Sequence, residues 1–426
     1  MRNLKRALSL ALASVMLLGM MVVGTSAASY PDVDENDNIE AIEVLNAVKV
    51  MIGDRGNFKP DAPVNRHEMA VIMAKLVLGN ETADNYVGTH PFTDVAPWAD
   101  KYVAACYENG IAAGTSKTTF GGDQPLTAVQ AAAFMLRALG YKDLSKGEAD
   151  WSVPVTATAN KIRLFDGVAA NPKEELTRNQ VAQLALNTLK SPMVDLEDGT
   201  FTASSGDGQI VLAGGSRKYT TRGSNEDYAQ AINNTERQTT SSSSVTGFTV
   251  ELGEHLYNGK LKLDNSTTDD FGRPARRWEY DGKGIGTYAK TELLRAQYTT
   301  EVTYKTLYEL LGSSVVKEIG RDWDMDVVID GVENSSINPA IFSANKLSKT
   351  DKNTAGATGN GVLTQVYVDG VKKEIDIVVI NTYLAKAKSD YDTKKESASG
   401  MISSTLLLLI VLRSFLFLTG DTIIVF

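Results

Sequence analysis

Apolar residues in the first half of the chain recur at helical spacing. Between Ile39 and Ile52 they lie three or four positions apart, which predicts one apolar face of a helix. Three later stretches are apolar on nearly every side and are therefore predicted to be buried helices that pack against one another. These stretches are Met69–Met73, Ala131–Leu136 and Val181–Leu186.

A capping box precedes each of the three buried helices. In this motif a Ser, Thr or Asn side chain accepts a hydrogen bond from the third helical N–H, and a Glu or Gln side chain reaches back. The pairs are Asn65 with Glu68, Thr127 with Gln130, and Thr177 with Gln180. The pattern is a threefold repeat of uneven length, in which one unit alone could not bury its second helix but three together could.

The segments around these helices share further short motifs. The second repeat opens with Phe92–Val95 and continues with Trp98-Ala99, while the first opens with Tyr30–Val33 and has Phe58–Pro60 before its capping box. The set resembles the S-layer homology domain over most of the first half of the chain. The resemblance implies an all-α bundle of three repeats with pseudo-threefold symmetry. Grooves between neighbouring repeats would then bind secondary cell-wall polysaccharide, commonly with a pyruvate ketal on its terminal sugar.

Two arginines occupy the same place in their repeats. Arg66 and Arg178 follow the capping residue in the first helical turn, where the helix dipole disfavours a cation by a few tenths of a kcal/mol. One interpretation is a solvated arginine or one paired with a neighbouring acid such as Glu68. The recurrence favours another, in which the guanidinium and the free N–H groups of the helix start together bind a carboxylate or phosphate.

The resemblance also assigns roles to individual residues. Arg66 and Arg178 would hold the acidic group of the ligand, and Trp98 would offer an apolar face to the sugar. Asp32 and Asp94 would bond sugar hydroxyls or order the loop. The alternatives are a core aromatic for Trp98 and turn-capping residues for Asp32 and Asp94.

The repeats also depart from the family pattern. The second repeat has Ala128 where the arginine is expected, the first has no Trp-Ala in its first helix, and the third has no Asp-Val opening. The sequence therefore predicts one or two working grooves rather than three.

The composition changes after residue 194. Residues 195–246 are rich in Gly, Ser and Thr and predict a linker with a strand at Gln209–Ala213, and residues 247–400 predict a β-rich domain. Asp369-Gly370 is a strong hairpin signal. The expected strands are Phe248–Leu252, Arg277–Tyr280, Thr300–Tyr304, Asp326–Ile329, Leu363–Val368 and Glu374–Ile380, with one helix at Lys305–Leu311.

An acidic stretch in this region has the spacing of a calcium-binding loop. Carboxylates fall at suitable positions between Asp322 and Glu333, but Val327 occupies the position where the sharp turn of such a loop requires glycine. A solvated strand that runs into the Asp330-Gly331 turn is the favoured interpretation. The β-rich half contains no convincing catalytic constellation.

Composition disfavours or excludes several further classes of function and of binding site. The chain has 426 residues and a formal net charge of −9, which disfavours general nucleic-acid binding. A single cysteine, Cys106, and three histidines exclude a disulfide framework and a Cys/His zinc site. We therefore expect no cofactor, no metal and no enzymatic activity.

The two ends of the chain are apolar. Residues 1–28 combine a basic start, an apolar run and small residues, which predicts a secretory signal peptide, with an uncleaved membrane anchor as the alternative. The tail 401–426 is interrupted by Arg413, so it is expected to be a poor anchor or, preferably, a non-native terminus.

The sequence thus predicts an exported, multidomain protein of the bacterial cell surface. The expected domains are a signal peptide (1–28), three S-layer homology repeats (29–88, 89–144 and 145–194), a linker (195–246), a β-rich domain (247–400) and the tail (401–426). The repeats would attach the chain non-covalently to the wall polysaccharide and display the β-rich region outward. The alternatives are a structural subunit of a surface-layer lattice, which would self-associate, and a wall-anchored, glycan-active enzyme with its catalytic site in 247–400.

Overall fold

The structure is a computed structural model in two compact units. It describes residues 30–425 except 79–82, 143, 145–148, 206–207, 225–247, 258, 334–345, 357, 360, 382, 388–399, 403–416 and 420–421. The N-terminal unit comprises Ala28–Asn265 and Arg277–Gly286, and the C-terminal unit comprises Ser266–Arg276 and the chain from Thr287 onward. The predicted signal peptide lies outside the described residues. The predicted order of a helical region followed by a β-rich region is confirmed.

Helices of the N-terminal unit come in three successive pairs. The pairs are α1 (Ile39–Ala47) with α2 (Arg66–Val77), α3 (Asp100–Glu108) with α4 (Ala128–Ala138), and α5 (Ser152–Lys161) with α6 (Arg178–Leu189). All three predicted capping boxes are present at the starts of α2, α4 and α6. In the first, the Asn65 side chain accepts from the Glu68 N–H at 2.8 Å and the Glu68 carboxylate accepts from the Asn65 N–H at 2.9 Å.

Backbone hydrogen bonds join the three pairs in a closed ring. The N–H of Val64 donates to Leu176 O at 3.0 Å, that of Leu126 to Val64 O at 2.9 Å, and that of Leu176 to Leu126 O at 3.0 Å. Each repeat therefore donates one bond to a neighbour and accepts one from the other. The three repeats form one bundle with a pseudo-threefold arrangement, and its second helices carry the core.

A buried thiol lies in this core. Cys106 on α3 is fully buried and its Sγ lies 3.4 Å from Ala70 O. Burial raises the pKa of the Cys106 thiol to about 12, so the group stays protonated at neutral pH.

The predicted linker contains a long hairpin. Strands β1 (Val194–Ser205) and β2 (Gly208–Thr221) pair antiparallel, whereas the composition predicted one short strand at Gln209–Ala213. Threonine and valine in these strands favour extended backbone, and antiparallel pairing satisfies their polar groups. Short strands β3 (Gly223–Ser224) and β4 (Phe248–Thr249) pair with each other. Helix α7 (Leu252–Leu256) then replaces the end of the strand predicted at Phe248–Leu252.

A three-stranded sheet follows, in the order β5 (Leu261–Thr268), β6 (Pro274–Tyr280) and β7 (Lys283–Ala289). Trp278 on β6 is fully buried, and its indole N–H donates to the Glu40 carboxylate of α1 at 2.7 Å. Both residues belong to the N-terminal unit. The predicted boundary at residue 247 therefore differs from the observed partition, because long-range contacts join Arg277–Gly286 to the helical repeats.

The C-terminal unit is built on a five-stranded sheet. Its order is β10 (Val332–Glu333), β9 (Asp324–Ile329), β12 (Glu374–Asn381), β11 (Val362–Asp369) and β8 (Leu294–Tyr298). Only the β12–β9 pair of this sheet is parallel. Helix α8 (Tyr304–Leu311) contributes to the main hydrophobic core of the unit, and α9 (Ser313–Glu318) packs against it.

Most predictions for this sheet are confirmed, including the hairpin at Asp369-Gly370 and the helix near Lys305–Leu311. The strand predicted at Thr300–Tyr304 is wrong. Thr303 instead caps α8, because its hydroxyl accepts from the Thr306 N–H at 3.2 Å. Tyr304, which was placed in that strand, begins the helix and is buried.

The acidic stretch forms the predicted strand and turn. Asp324 lies on β9, which runs into the Asp330-Gly331 turn and β10. Asp322 binds the Lys373 ammonium at 2.6 Å, and Asp330 accepts from the Asn381 backbone N–H at 2.8 Å. These carboxylates therefore have different partners.

Part of the C-terminal tail is described. A four-stranded sheet has the order β14 (Gly400–Ile402), β13 (Tyr383–Ala387), β16 (Thr422–Val425) and β15 (Phe417–Thr419). The remainder of the predicted tail, residues 403–416, 420–421 and 426, lies outside the described residues. None of the helices in the described part of the chain is long and apolar enough to cross a membrane.

We expect Asp376→Asn to stabilise the C-terminal unit. Asp376 on β12 lies opposite Asp326 on β9, and burial together with the charges of Asp326 and Glu374 raises the pKa of Asp376 to about 6. The carboxyl ionises more easily in the unfolded chain, so the free energy of unfolding falls as pH rises between about 4 and about 6. The variant should gain about 1–2 kcal/mol at neutral pH, a value reduced for partial exposure.

Urea denaturation at about pH 4.5 and about pH 7.5 measures this difference. Asp324→Asn, on the exposed start of β9, is the matched control and should change stability little. A variant at Asp376 that is no more stable than the parent at the higher pH would contradict the expectation.

Candidate ligand-binding grooves

Arg66 reaches from α2 to the loop of the second repeat. Its Nε donates to Phe120 O at 3.0 Å and its Nη2 donates to Ala113 O at 2.8 Å. The guanidinium also lies 5.0 Å from the centre of the Phe120 ring. Arg66 is only 6% exposed, and burial, followed by the charge of Arg137, lowers its pKa. We use the name Arg66 groove for the candidate site at this contact between the first two repeats, to which Arg66, Asp94 and Trp98 are assigned.

Arg178 has the same geometry between the third repeat and the first. Its Nε donates to Phe58 O at 2.8 Å, its Nη2 donates to Ile52 O at 3.2 Å, and its guanidinium lies 4.8 Å from the Phe58 ring. Arg178 is half-buried, and burial lowers its pKa. The structure therefore places the two predicted arginines in equivalent sites rather than in one. The second site, formed by Arg178 and Asp32, is called the Arg178 groove.

The backbone N–H groups at the helix starts are not free. In α2 the N–H of Arg66 donates to Gln124 O at 3.2 Å and that of His67 donates to Gly122 O at 2.9 Å. The corresponding groups of α6 donate to Ala62 O and Pro60 O. The prediction that free N–H groups help to hold an anion is therefore wrong, because carbonyls of the neighbouring loop occupy them. Of the groups predicted to hold an anion, only the guanidinium remains. In both grooves its Nη1 makes no hydrogen bond to any described residue.

Asp94 and Asp32 order the loops that the arginines hold. The Asp94 carboxylate accepts from the backbone N–H groups of Phe120 at 2.6 Å and Gly121 at 2.8 Å. Asp32 accepts in the same way from Phe58 at 2.8 Å and Lys59 at 2.7 Å. Burial acts to raise the pKa of each aspartate, but these backbone donors outweigh it and the pKa is lowered. Both aspartates are exposed, so each carboxylate also faces solvent.

Trp98 lies at the surface. Its side chain is 55% exposed, and the ring packs edge-on against His67 with 5.6 Å between ring centres. The alternative of a core aromatic is therefore wrong. An exposed indole can pack against the face of a sugar ring.

Sequence analysis did not identify His67, although this residue contacts several residues of the second repeat. The ring is 1% exposed, and its Nε2 accepts from the Ala96 N–H at 3.2 Å while Nδ1 lies 3.2 Å from an Asp123 carboxylate oxygen. Asn179 has the corresponding position in α6, and its Oδ1 accepts from the Asn38 N–H at 2.8 Å. The sequence did contain a signal for this role, because a polar residue follows each arginine: His67 after Arg66 and Asn179 after Arg178.

The interface between the second and third repeats has the same backbone hydrogen bonds as the other two, but it lacks the arginine and the polar residue that follows it. The N–H groups of Ala128 and Val129 donate to Glu174 O and Pro172 O, both at 2.9 Å. No arginine or polar side chain occupies these two positions. The expectation of one or two working grooves remains a prediction, and this difference between interfaces supports it.

Gly122→Ala is expected to disturb the Arg66 groove. A Cβ atom at Gly122 would overlap the His67 ring, and the buried ring has little room to move. We expect a loss of about 1–3 kcal/mol in the free energy of unfolding, as for other overpacked sites. Thermal denaturation compares this variant with Gly284→Ala in the same unit, where a Cβ meets no atom within 4 Å. Equal melting temperatures for the two variants would contradict the expectation.

Comparison with known proteins agrees with the repeat geometry. The family model of the S-layer homology domain matches residues 29–70 and 91–127, within the first two repeats. The chain is 25% identical over 402 residues to a cell surface protein of Thermoanaerobacter kivui, covering 92% of this chain and 46% of that protein. It is 30% identical over 177 residues to the surface-layer 125 kDa protein of Lysinibacillus sphaericus, covering 37% and 15% respectively.

An endoglucanase of a Bacillus species (strain KSM-635) is 29% identical over 117 residues, which covers 25% of this chain and 12% of that enzyme. The chain thus spans less than half the length of each of these relatives. Together with the repeat geometry and the family match, these similarities identify the chain as an S-layer homology domain protein of the cell surface.

Proposed function

We propose that the N-terminal unit anchors the chain to the bacterial cell wall by binding a secondary cell-wall polysaccharide that carries a pyruvate ketal. In the Arg66 groove the ketal carboxylate pairs with Nη1 of Arg66, and the sugar packs against Trp98. The Arg178 groove offers the same cation without an equivalent aromatic side chain, because Asn36 stands four residues after Asp32 as Trp98 does after Asp94. The Arg66 groove is therefore proposed to be the tighter site.

Two guanidinium groups that make no direct ion pair among the described residues support this proposal most directly. Arg66 and Arg178 form hydrogen bonds to backbone carbonyls, but neither forms an ion pair with a carboxylate among the described residues. Asp94 acts on Arg66, and Glu68 and Asp32 act on Arg178, only through space. A partly or fully buried guanidinium with a free N–H can therefore still bind an anion directly. The acidic net charge of the chain limits such binding to these local sites.

Co-sedimentation of the full chain with purified sacculi tests the proposal. We expect binding to disappear when the secondary polymer is stripped and to fall when only the pyruvate is removed. Trp98→Ala should weaken binding at least about tenfold, as expected for an aromatic that contributes strongly to an interface. Trp151→Ala is the matched control, because Trp151 is also exposed, at 42%, and belongs to the repeat that meets Ala128. Binding that is indifferent to removal of the polymer would overturn the proposal.

The C-terminal unit is proposed to be a displayed, non-enzymatic module. The sequence of this half contains no recognisable catalytic motif, and similarity to a cell surface protein extends over 92% of the chain. Incubation of the full chain with wall glycans and cellulose tests this proposal, since release of reducing ends would refute it. The alternative is a subunit of a surface-layer lattice, and the similarity to a surface-layer protein is the observation that supports it. Ordered two-dimensional arrays of the purified chain in electron micrographs would establish it.

A further inference from the structure

His67 connects α2 of the first repeat to the Trp98 segment of the second. Ala96, whose N–H donates to His67 Nε2 at 3.2 Å, lies two residues before Trp98. The Ala96 carbonyl accepts from the N–H of Ala99, which leads into α3. The imidazole ring also packs against Phe120, with 5.8 Å between ring centres. The imidazole thus contacts both the backbone before Trp98 and the Trp98 ring itself.

These hydrogen bonds require one neutral form of the imidazole. A backbone N–H can only donate, so Nε2 of His67 must be unprotonated to accept from Ala96. Nδ1 then carries the proton and donates to Asp123. In the imidazolium both nitrogens are donors, so the Ala96 N–H would face another N–H and lose its acceptor. The bond from Nδ1 to Asp123 would persist, so the Ala96 segment rather than the ring must move.

Charged side chains face His67 from its own helix and from the loops of the second repeat. Asp123 lies within hydrogen-bond distance, although its side chain is 94% exposed and water screens its charge. The negative charge of Asp94 also acts on His67. On the same helix, Arg66 opposes a second cation, and the Glu68 carboxylate is held by the Asn65 N–H. Histidine is the side chain whose charge ordinarily changes between about pH 5 and about pH 8.

The Arg178 groove provides an internal comparison. Asn179 occupies the position of His67 in the capping box and accepts from the Asn38 N–H at 2.8 Å. An asparagine side chain does not titrate, so this hydrogen bond is independent of pH. In both grooves the side chain after the arginine accepts a hydrogen bond from a backbone N–H of another repeat. Only in the Arg66 groove is that side chain a titratable group.

We propose that His67 is a positioning residue of the Arg66 groove and that its protonation releases the Ala96–Trp98 segment. Mild acid then weakens polysaccharide binding by this groove and leaves the Arg178 groove unchanged. The binding half of this inference rests on the proposed function, whereas the release of the segment does not. Attachment of the chain to the wall is thereby sensitive to the pH of the surroundings.

Hydrogen exchange measured by mass spectrometry on the full chain tests the release without any ligand. After correction for the intrinsic exchange rate, protection of the peptide that contains Ala96 should fall about tenfold between about pH 7.5 and about pH 5.5, the factor that one lost hydrogen bond is worth. His67→Gln retains an acceptor at the reach of Nε2 and should keep the protection at both pH values. His67→Leu has no acceptor and should show low protection at both. Equal pH dependence in the parent and in His67→Gln would overturn the inference.

Co-sedimentation with polymer-bearing sacculi at the same two pH values then tests the effect on binding. We expect the parent to bind about tenfold more weakly at the lower pH and His67→Gln to change less than about twofold. A released segment together with wall binding that is independent of pH would refute the link between His67 and the ligand. A released segment in a chain that binds no sacculi at any pH would refute the proposed function and leave the positioning role of His67 standing.

Discussion

Arg66→Met is expected to lower the free energy of unfolding of the N-terminal unit by about 2–4 kcal/mol, because two carbonyls lose a charged donor. The carbonyls belong to Phe120 and Ala113, and the guanidinium that serves them is almost fully buried. Methionine keeps the apolar part of the side chain, so the loss reports the hydrogen bonds and the contact with the Phe120 ring. Urea denaturation followed by the helical circular dichroism signal measures the change.

Arg178→Met is the control for this prediction. Arg178 makes the same pair of backbone bonds but is only half-buried, so water can replace part of what is lost and the effect should be smaller. An Arg66 variant within about 0.5 kcal/mol of the parent would contradict the interpretation, since changes of that size are typical of surface substitutions. The same geometry explains why loss of wall binding in an arginine variant does not by itself demonstrate a ligand contact. Trp98→Ala removes an exposed side chain and gives a clearer test.

Trp278→Ala is expected to have the largest effect on stability, about 3–5 kcal/mol. The indole is fully buried, and its N–H donates to Glu40 in the first helix of the bundle. Trp278→Phe keeps most of the buried area and removes the hydrogen bond, so it should cost less, about 1–2 kcal/mol. Thermal denaturation followed by the helical signal measures both variants, with Trp98→Ala as an exposed control.

This prediction also tests how the chain is divided. Trp278 lies far along the chain, within the region that the sequence assigns to the β-rich domain. If Arg277–Gly286 belongs to the N-terminal unit, Trp278→Ala must lower the melting temperature of the helical repeats. A variant in which the helical transition is unchanged would show that β6 is not part of their core.

The candidate site was predictable to the extent that it depends on local pattern. The positions of Arg66 and Arg178 followed from their capping boxes, and both arginines are found in equivalent grooves. The partners of the helix-start N–H groups were not predictable, because the carbonyls of Gln124 and Gly122 lie more than fifty residues further along the chain. His67 was not recognised for the same reason, since the Ala96 N–H that defines its role comes from another repeat.

The β-rich half shows the same division. The hairpin at Asp369-Gly370 was predictable because the turn signal lies in consecutive residues. Its register was not, since Asp369 pairs with Glu374 across a four-residue loop rather than a two-residue turn. Thr300–Tyr304 was wrongly predicted as a strand, since β-branched and aromatic residues there favour extended backbone in isolation. Burial of Tyr304 and Leu307 in the core, together with the cap at Thr303, stabilises a helix there instead.

The sequence by itself determined the features that arise between residues a few positions apart: the three capping boxes, the buried second helices and the hairpin at Asp369-Gly370. It also determined the family and the cell-surface location, because both follow from recurring short motifs. Only the tertiary structure decided which donors remain for a ligand. The closed ring through Val64, Leu126 and Leu176 brings each helix start against a neighbouring loop, whose carbonyls take the backbone N–H groups and part of each guanidinium. What remains for binding therefore depends on contacts between repeats, which no local pattern encodes.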